Sequence, residues 1–347
     1  MSGTKEIQTG SNAARGARRR AARYAIASTV TAGVFLSVAA LAPAAQAATA
    51  NAAASSPAKA TARIQALLDS PAGGTVNLPR GTFTIRPTLR LKHGERIVGH
   101  GTTLRVASGS GNYSAVLAGA TASADLSGLA ITGVTFDQNA SGNPIRSAAK
   151  LLSGKPRFVL LIGAGTGIKI ANDRFVDSDN LNTIVTAGGT RNVTISGNVF
   201  KTRNVLLHDH STIYTSGTST VVGNNTLVGL AAYHCAAIEV HGDGVRVTGN
   251  HVRGYYRGAN IVASDTTFKG NHISGAANPV DLWSVAPKAL HNVTVTGNVL
   301  NRNLPYWHHV LAHYGVHMPP AKYLRQIIRD TASTLLFHNI AVHGNQG

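Results

Sequence analysis

The chain has a single cysteine, Cys235, among its 347 residues. An internal disulfide is therefore excluded, and an exported chain of this kind must rely on a large core or on many ladder hydrogen bonds. Cys235 lies in an alanine-rich stretch, which marks it as a buried structural thiol rather than a nucleophile. Acidic residues are also scarce. Fourteen Asp and Glu face 32 Lys and Arg, giving a formal charge of +18. No segment beyond the N-terminal region is apolar enough to cross a bilayer. The Lys and Arg are dispersed rather than clustered on one helix or patch, which argues against a nucleic-acid partner.

The N-terminal region reads as an address. Arg15, Arg18, Arg19, Arg20 and Arg23 precede an apolar run from Tyr24 to about Leu41, and Ala45-Gln46-Ala47 then offers a small-x-small cleavage site. Residues 1–47 are accordingly expected to be a signal peptide and 48–57 a disordered leader, so the product is secreted without a stable membrane anchor. The Arg-Arg pair has no good downstream twin-arginine match, which favours general secretion. Cleavage removes six basic residues and one acidic residue, leaving +13 on the mature chain. Such a surface suits an anionic partner, for which a uronate-containing polysaccharide is a natural choice, or serves solubility alone.

What the chain has in quantity is repetition. Val193-Thr-Ile-Ser-Gly-Asn198-Val-Phe200 recurs as Val245–Val252 and Val293–Leu300, with good copies at Thr220–Leu227 and Thr266–Ile273 and weaker ones at Leu129–Phe136 and Ile168–Phe175. From Asp173 onward the Asn position recurs after 25, 27, 25, 21 and 27 residues, whereas an insertion around 138–157 widens the gap before it. Alternating apolar residues turn one strand face inward, and Gly-Asn permits a tight turn through left-handed backbone angles. A second short strand follows in each period, as at Thr183–Val185, Ala237–Val240, Asn260–Val262 and Pro279–Leu282. Each coil then pairs in parallel with the next. The pattern lacks the fixed leucines and helix of a leucine-rich repeat.

The expected fold is all-β, a single-stranded right-handed parallel β-helix over 58–347. Its N-terminal cap spans 58–91 and an irregular C-terminal cover spans 303–347. Ala58–Asp69 is expected to be the capping helix, with Ile64, Leu67 and Leu68 on one face, and Gly73-Gly74 beyond it. Within the C-terminal cover, Tyr323–Ile328 is expected to be a short helix and Leu335–Val342 a last strand.

Ile64-Gln-Ala-Leu-Leu-Asp69, Gly73-Gly-Thr-Val-Asn-Leu-Pro-Arg-Gly-Thr-Phe83 and Ile97-Val-Gly-His-Gly101 together resemble the opening of pectate-lyase-superfamily β-helix proteins. The resemblance runs from about residue 60 to the end. It implies a secreted protein of the polysaccharide lyase, glycoside hydrolase, epimerase or phage-tailspike depolymerase kind, some of which are trimeric. Monomer and homotrimer stay open. The paired Asp, Gly-His-Gly and Arg-Ile-Lys signatures of polygalacturonases are absent, as is the Tyr-Gly-x-Asp-Pro-His signature of mannuronan epimerases. The aspartates that bind calcium in pectate lyases have no counterpart cluster, so no cofactor is expected.

On a solenoid, chemistry belongs on an outward face, and the mature chain concentrates polar residues between His208 and Trp283. If Ile238 and Val240 point inward, Glu239 and His241 point outward. The same rule turns Asp281 and Trp283 outward two rungs away, at about 10 Å. Asp209 and Glu239 on neighbouring rungs would stand about 5 Å apart. The first spacing is near the inverting glycosidase range and the second matches the retaining one. The catalytic candidates are therefore Asp209, Glu239, His241, His208 and Asp281. The substrate-binding candidates are His210, His234, Tyr255, Tyr256, Arg257, Asn260 and Trp283. Hydrolysis by the carboxylates is one reading. β-Elimination by a histidine base, with Tyr255 or Tyr256 as acid and Arg257 neutralising a uronate, is another. Metal binding by His208, His210, His234 and His241 with Asp209 or Glu239 is a third, and a non-catalytic glycan-binding solenoid is a fourth. Asp243, between two glycines, and Asp173, which replaces a repeat Asn, read as structural.

Overall fold

The computed structural model describes residues 56–69, 74–145, 156–203, 210–229, 235–283, 289–313, 328–330 and 337–347. They form a right-handed parallel β-solenoid. Each turn contributes strands to two sheets, one of seventeen strands and one of nine. In a representative turn, Thr194–Ser196 and Val199–Thr202 belong to the larger sheet and His210–Thr215 to the smaller. All strand pairings are parallel and join equivalent positions of successive turns.

The alternation seen in the sequence is the alternation of burial. Thr75–Leu78 runs exposed, buried, exposed, buried, and Ile195, Val222, Val247, Phe268 and Val295 form one fully buried column. A second column starts at Phe83 and Leu104, passes through Phe136, Phe175 and Phe200, whose rings stack at 5.1 and 4.7 Å, and continues through Leu227, Val252, Ile273 and Leu300. Cys235 is buried in this core.

The Gly-Asn corner joins the two larger-sheet strands of each turn. Gly197 sits at φ 67°, and a Cβ there would lie 2.5 Å from Asn172 Oδ1. In the copies lacking glycine, Asn172 and Asn224 take the same left-handed conformation at 59° and 54°, which asparagine tolerates better than other side chains. The following Asn is buried and builds a ladder. The Oδ1 of Asn225 accepts from the backbone N–H and the Nδ2 of Asn198, both at 3.0 Å. The Nδ2 of Asn225 donates to Ile195 O and to Asn250 Oδ1, both at 2.9 Å. The same pattern runs on through Asn271, Asn298 and Asn345. Asp173 occupies the other end. Its N–H donates to Asn198 Oδ1 and its Oδ1 accepts from Val134 N–H. Burial, outweighing the N–H groups of Val134 and Ala171, pushes its carboxyl up to about 7.

A second left-handed corner, not read from the sequence, recurs where each turn passes from the smaller sheet back to the larger. Gly167, Asn192, Ser219, Gly244, Asp265, Asn292 and Asn339 all have φ between 52° and 73°. The residue type changes from turn to turn, which hides the corner from any search for one letter. Asp243 stands beside it, its Oδ1 accepting from Ser264 N–H, in keeping with a structural turn residue.

The N-terminal cap is a helix, Pro57–Leu68, with Ser56 as N-cap and Ala60, Ile64 and Leu68 buried. Leu67 packs partly buried against the core. At the other end the structure corrects the expectation. The helix found there is Leu304–His313, not assigned from sequence, within the stretch expected to be irregular, and it starts at a Leu-Pro step. Trp307, on the inner side of this helix, is fully buried, with Nε1 donating to Gly275 O at 2.7 Å. The expected helix at Tyr323–Ile328 lies outside the described residues except for Ile328, which begins a strand, Ile328–Asp330, paired with Val280–Leu282. Phe337–His343 pairs with Leu290–Thr296 as the last strand. No helix among the described residues is long and apolar enough to cross a membrane.

Candidate functional site

The outward face of the nine-stranded sheet carries a column in which Tyr214, Glu239, Asn260 and Asp281 are register partners on successive turns. Glu239 is its centre. His241 Nε2 lies 2.8 Å from Glu239 Oε1, and Asn260 Nδ2 donates to the same oxygen at 3.3 Å. Ser211 Oγ donates to Oε2 at 2.8 Å and itself accepts from Asn182 Nδ2 at 2.7 Å. Burial alone would raise the Glu239 carboxyl. The hydrogen bonds from His241 and Ser211, with the charges of His241 and Arg257, outweigh it and hold the group below the usual carboxylate range. Glu239 is therefore ionised and can only accept, so the His241 Nε2 carries the hydrogen between them. In neutral His241 the lone pair is then on Nδ1.

The Tyr214 ring stacks on the His241 ring at 4.8 Å between centroids. Burial, and then the Glu239 charge, raise the Tyr214 hydroxyl above its ordinary value, so the phenol keeps its proton. Farther along, Arg257 Nε lies 3.3 Å from Asp281 Oδ2, and the guanidinium also sits 5.9 Å from the Tyr256 ring centre. Trp283, at 44 % exposure, follows the Asp281 strand on this face.

The structure thus gathers Glu239, His241, Asn260, Arg257 and Asp281 on one face. Asp281 is 2 % exposed and held by Arg257, so it is not the open second carboxylate that the spacing suggested. His210 is likewise buried, with Nδ1 2.8 Å from Leu181 O, and does not face a substrate. Tyr255 and Tyr256 do not belong to the site. Tyr255 lies in the core, its hydroxyl between Thr212 Oγ1 at 2.8 Å and Thr202 Oγ1 at 3.2 Å. Tyr256 packs edge-on against Trp307. Both fall where the chain turns from one sheet into the other, and strand alternation does not run through that turn. Tyr255→Phe is accordingly expected to lower stability by about 1 kcal/mol through the lost buried hydrogen bonds. It should leave activity on any glycan unchanged, as chemical denaturation and rate assays would show.

His208, Asp209 and His234 lie outside the described residues. Among the described residues no group of three or more His, Cys, Asp or Glu is placed to hold a metal. The sequence reading missed Tyr214, Ser211 and Asn182. Tyr214 was recoverable, because it stands one period before Glu239 in Ser211-Thr-Ile-Tyr-Thr215, aligned with Ala236-Ala-Ile-Glu-Val240.

No protein-family model and no curated protein sequence matches the chain. Solved structures do. A tailspike protein mutant of E. coli bacteriophage HK620 superposes with a TM-score of 0.61 at 16 % identity, covering 82 % of this chain and 52 % of that one. A mutant of the same tailspike in complex with a pentasaccharide gives 0.61 at 16 %, covering 82 % and 53 %. One in complex with a hexasaccharide gives 0.59 at 16 %, covering 82 % and 52 %. The chain spans about half the length of these tailspikes, and its likeness to them is a likeness of fold, the parallel β-helix.

Proposed function

We propose that the chain is a carbohydrate-active enzyme that cleaves an acidic polysaccharide by β-elimination on the nine-stranded face. The observation that carries this reading is the Glu239–His241 pair at 2.8 Å with Tyr214 stacked upon it. A carboxylate that fixes one imidazole nitrogen leaves the other as a base, and a phenol that keeps its proton beside it is an acid. His241 Nδ1 takes the C5 proton of a uronate. The electrons move to form the C4–C5 double bond, the bond from C4 to the glycosidic oxygen breaks, and Tyr214 supplies the proton to the leaving oxygen. Arg257, whose charge already reaches Glu239, supports the substrate carboxylate, and exposed Trp283 offers a stacking surface for a sugar ring. Hydrolysis is less well served. Glu239 is held too acidic for a general acid, and Asp281 is bound to Arg257.

The tailspike structures were obtained with bound oligosaccharides, which supports a linear glycan as the ligand of this solenoid. The basic balance of the chain favours an anionic one. A panel of acidic and neutral polysaccharides, followed by ultraviolet absorbance of unsaturated uronates and by reducing ends, tests the reading. Absorbance should rise with reducing ends on a uronate polymer. Reducing ends without absorbance would replace elimination by hydrolysis.

A second reading is a glycan-binding solenoid without turnover. It is favoured by the three donors, Ser211, His241 and Asn260, that saturate Glu239. It predicts binding with neither signal. We also propose export by the N-terminal signal. Expression in a secreting host should yield a protein beginning at Ala48, and an intact N-terminus in the medium would contradict cleavage there.

A further inference from the structure

The larger sheet bends at the Asn ladder, so its two strands per turn present two outward facets. The facet after the ladder carries basic side chains on its fourth, fifth, seventh and eighth turns. Arg174, Val199, Thr226, His251 and His272 are register partners in one column. Lys201, Val228, Arg253 and Ser274 form the next. All five basic side chains are exposed. Among the described residues none of them has an ion-pair or hydrogen-bond partner. The carboxylate of Asp177, at the margin of the same facet, is already engaged by Arg203 at 3.3 Å. His251 and His272 lie with ring centres 5.8 Å apart. With Arg253, Thr226 and Ser274 they line an open groove of about 320 Å³.

A chain with so few carboxylates leaves Arg174, Lys201 and Arg253 uncompensated on the fourth, fifth and seventh turns, where successive strands lie about 4.8 Å apart. Positive charges one or two turns apart along one facet, interleaved with hydroxyls and imidazoles, complement a linear polymer bearing one negative charge per unit or per few units. A hexopyranose unit extends about as far as one turn. The facet offers no exposed Phe, Tyr or Trp, since among the described residues the exposed large apolar ones are Trp283, Tyr306 and Val342. It therefore lacks the aromatic platform on which single-stranded nucleic acids stack. We infer that this facet is a second carbohydrate site, distinct from the Glu239 face, that holds a strand of anionic polysaccharide along the solenoid axis. The inference rests on the acidic-glycan reading for its ligand class but not on cleavage.

The test uses the full mature chain carrying His241→Ala, so that bound polymer persists. It measures the binding of a labelled ten-unit oligogalacturonate, of a neutral maltodextrin of equal length and of a ten-nucleotide single-stranded DNA. The oligogalacturonate should bind, weakening as salt rises. Lys201→Ala with Arg253→Ala should weaken it at least tenfold. Removing the same charge on the first turn, through Arg80→Ala with Arg86→Ala, should change it less than twofold. Equal losses from both pairs would reduce the effect to net charge and overturn the inference. So would no binding of the uronate, or tighter binding of the DNA. Cleavage of short oligosaccharides by the Lys201/Arg253 variant with His241 intact reports separately on the nine-stranded face. Lost cleavage in a wild-type chain that still binds through this facet counts against elimination alone.

Discussion

Asp173→Asn should stabilise the protein, by about 4 kcal/mol above neutral pH. The wild-type carboxyl is raised from 3.8 to about 7 because it is buried at the end of the ladder. The folded state therefore holds a proton that the unfolded chain releases near its ordinary value. Stability falls as pH rises through the window from about 4 to 7 and carries the full cost above it. Asparagine is neutral throughout. The ladder also shows where its amide would go. Each ladder Nδ2 donates to the carbonyl three residues before its equivalent on the preceding turn, as Asn198 does to Ile170 and Asn225 to Ile195. For position 173 that carbonyl belongs to Ile131. Denaturation midpoints of parent and variant should converge below about pH 4 and separate progressively above it. Comparing the two chains isolates this group from Glu95 and Asp137, whose carboxyls are also raised by burial. A gap independent of pH would mean that the carboxyl is ionised at no cost.

His241→Ala should lower the rate of glycan cleavage by about 10²–10⁴, the usual worth of a positioned base. Tyr214→Phe should fall in the same range, since it removes the acid but keeps the stacked ring. Glu239→Gln is more revealing. It preserves shape and an acceptor but removes the charge that fixes the His241 hydrogen on Nε2. We expect a large loss in kcat with little change in KM, because Glu239 acts through His241. Unchanged rates in all three variants, with Tyr255→Phe as a folding control, would remove the Glu239 face from the chemistry.

The solenoid was legible in the sequence because its physics is periodic. Inward Val, Ile and Phe must recur at every turn, and Asn at the first corner must recur because each side chain satisfies the next turn's backbone. The second corner escaped because a left-handed residue there requires only tolerance of positive φ. Gly, Asn, Ser and Asp all meet that requirement. The site was half legible. Glu239 and His241 follow from strand alternation, and Asn260 and Asp281 from the repeat. Tyr255 and Tyr256 were misplaced because a turn between sheets breaks alternation. Whether Asp281 is open to solvent depends on Arg257 beside it, a contact between turns that a single strand does not reveal. The helix at Leu304–His313 was hidden for the opposite reason. Its apolar face, with Trp307 and Leu311 buried, packs against Tyr256 and Ala277 at one place on the coil and has no repeat to betray it.

The central claim is that an acidic glycan meets its chemistry on the nine-stranded face, and a crystal structure tests it most directly. The Tyr214→Phe variant would be soaked with an oligouronate that the parent cleaves. The account predicts a uronate ring over His241, with C5 about 3 Å from Nδ1 and the scissile oxygen above position 214. An oligosaccharide bound only elsewhere on the solenoid, with the Glu239–His241 pair unapproached, would contradict it.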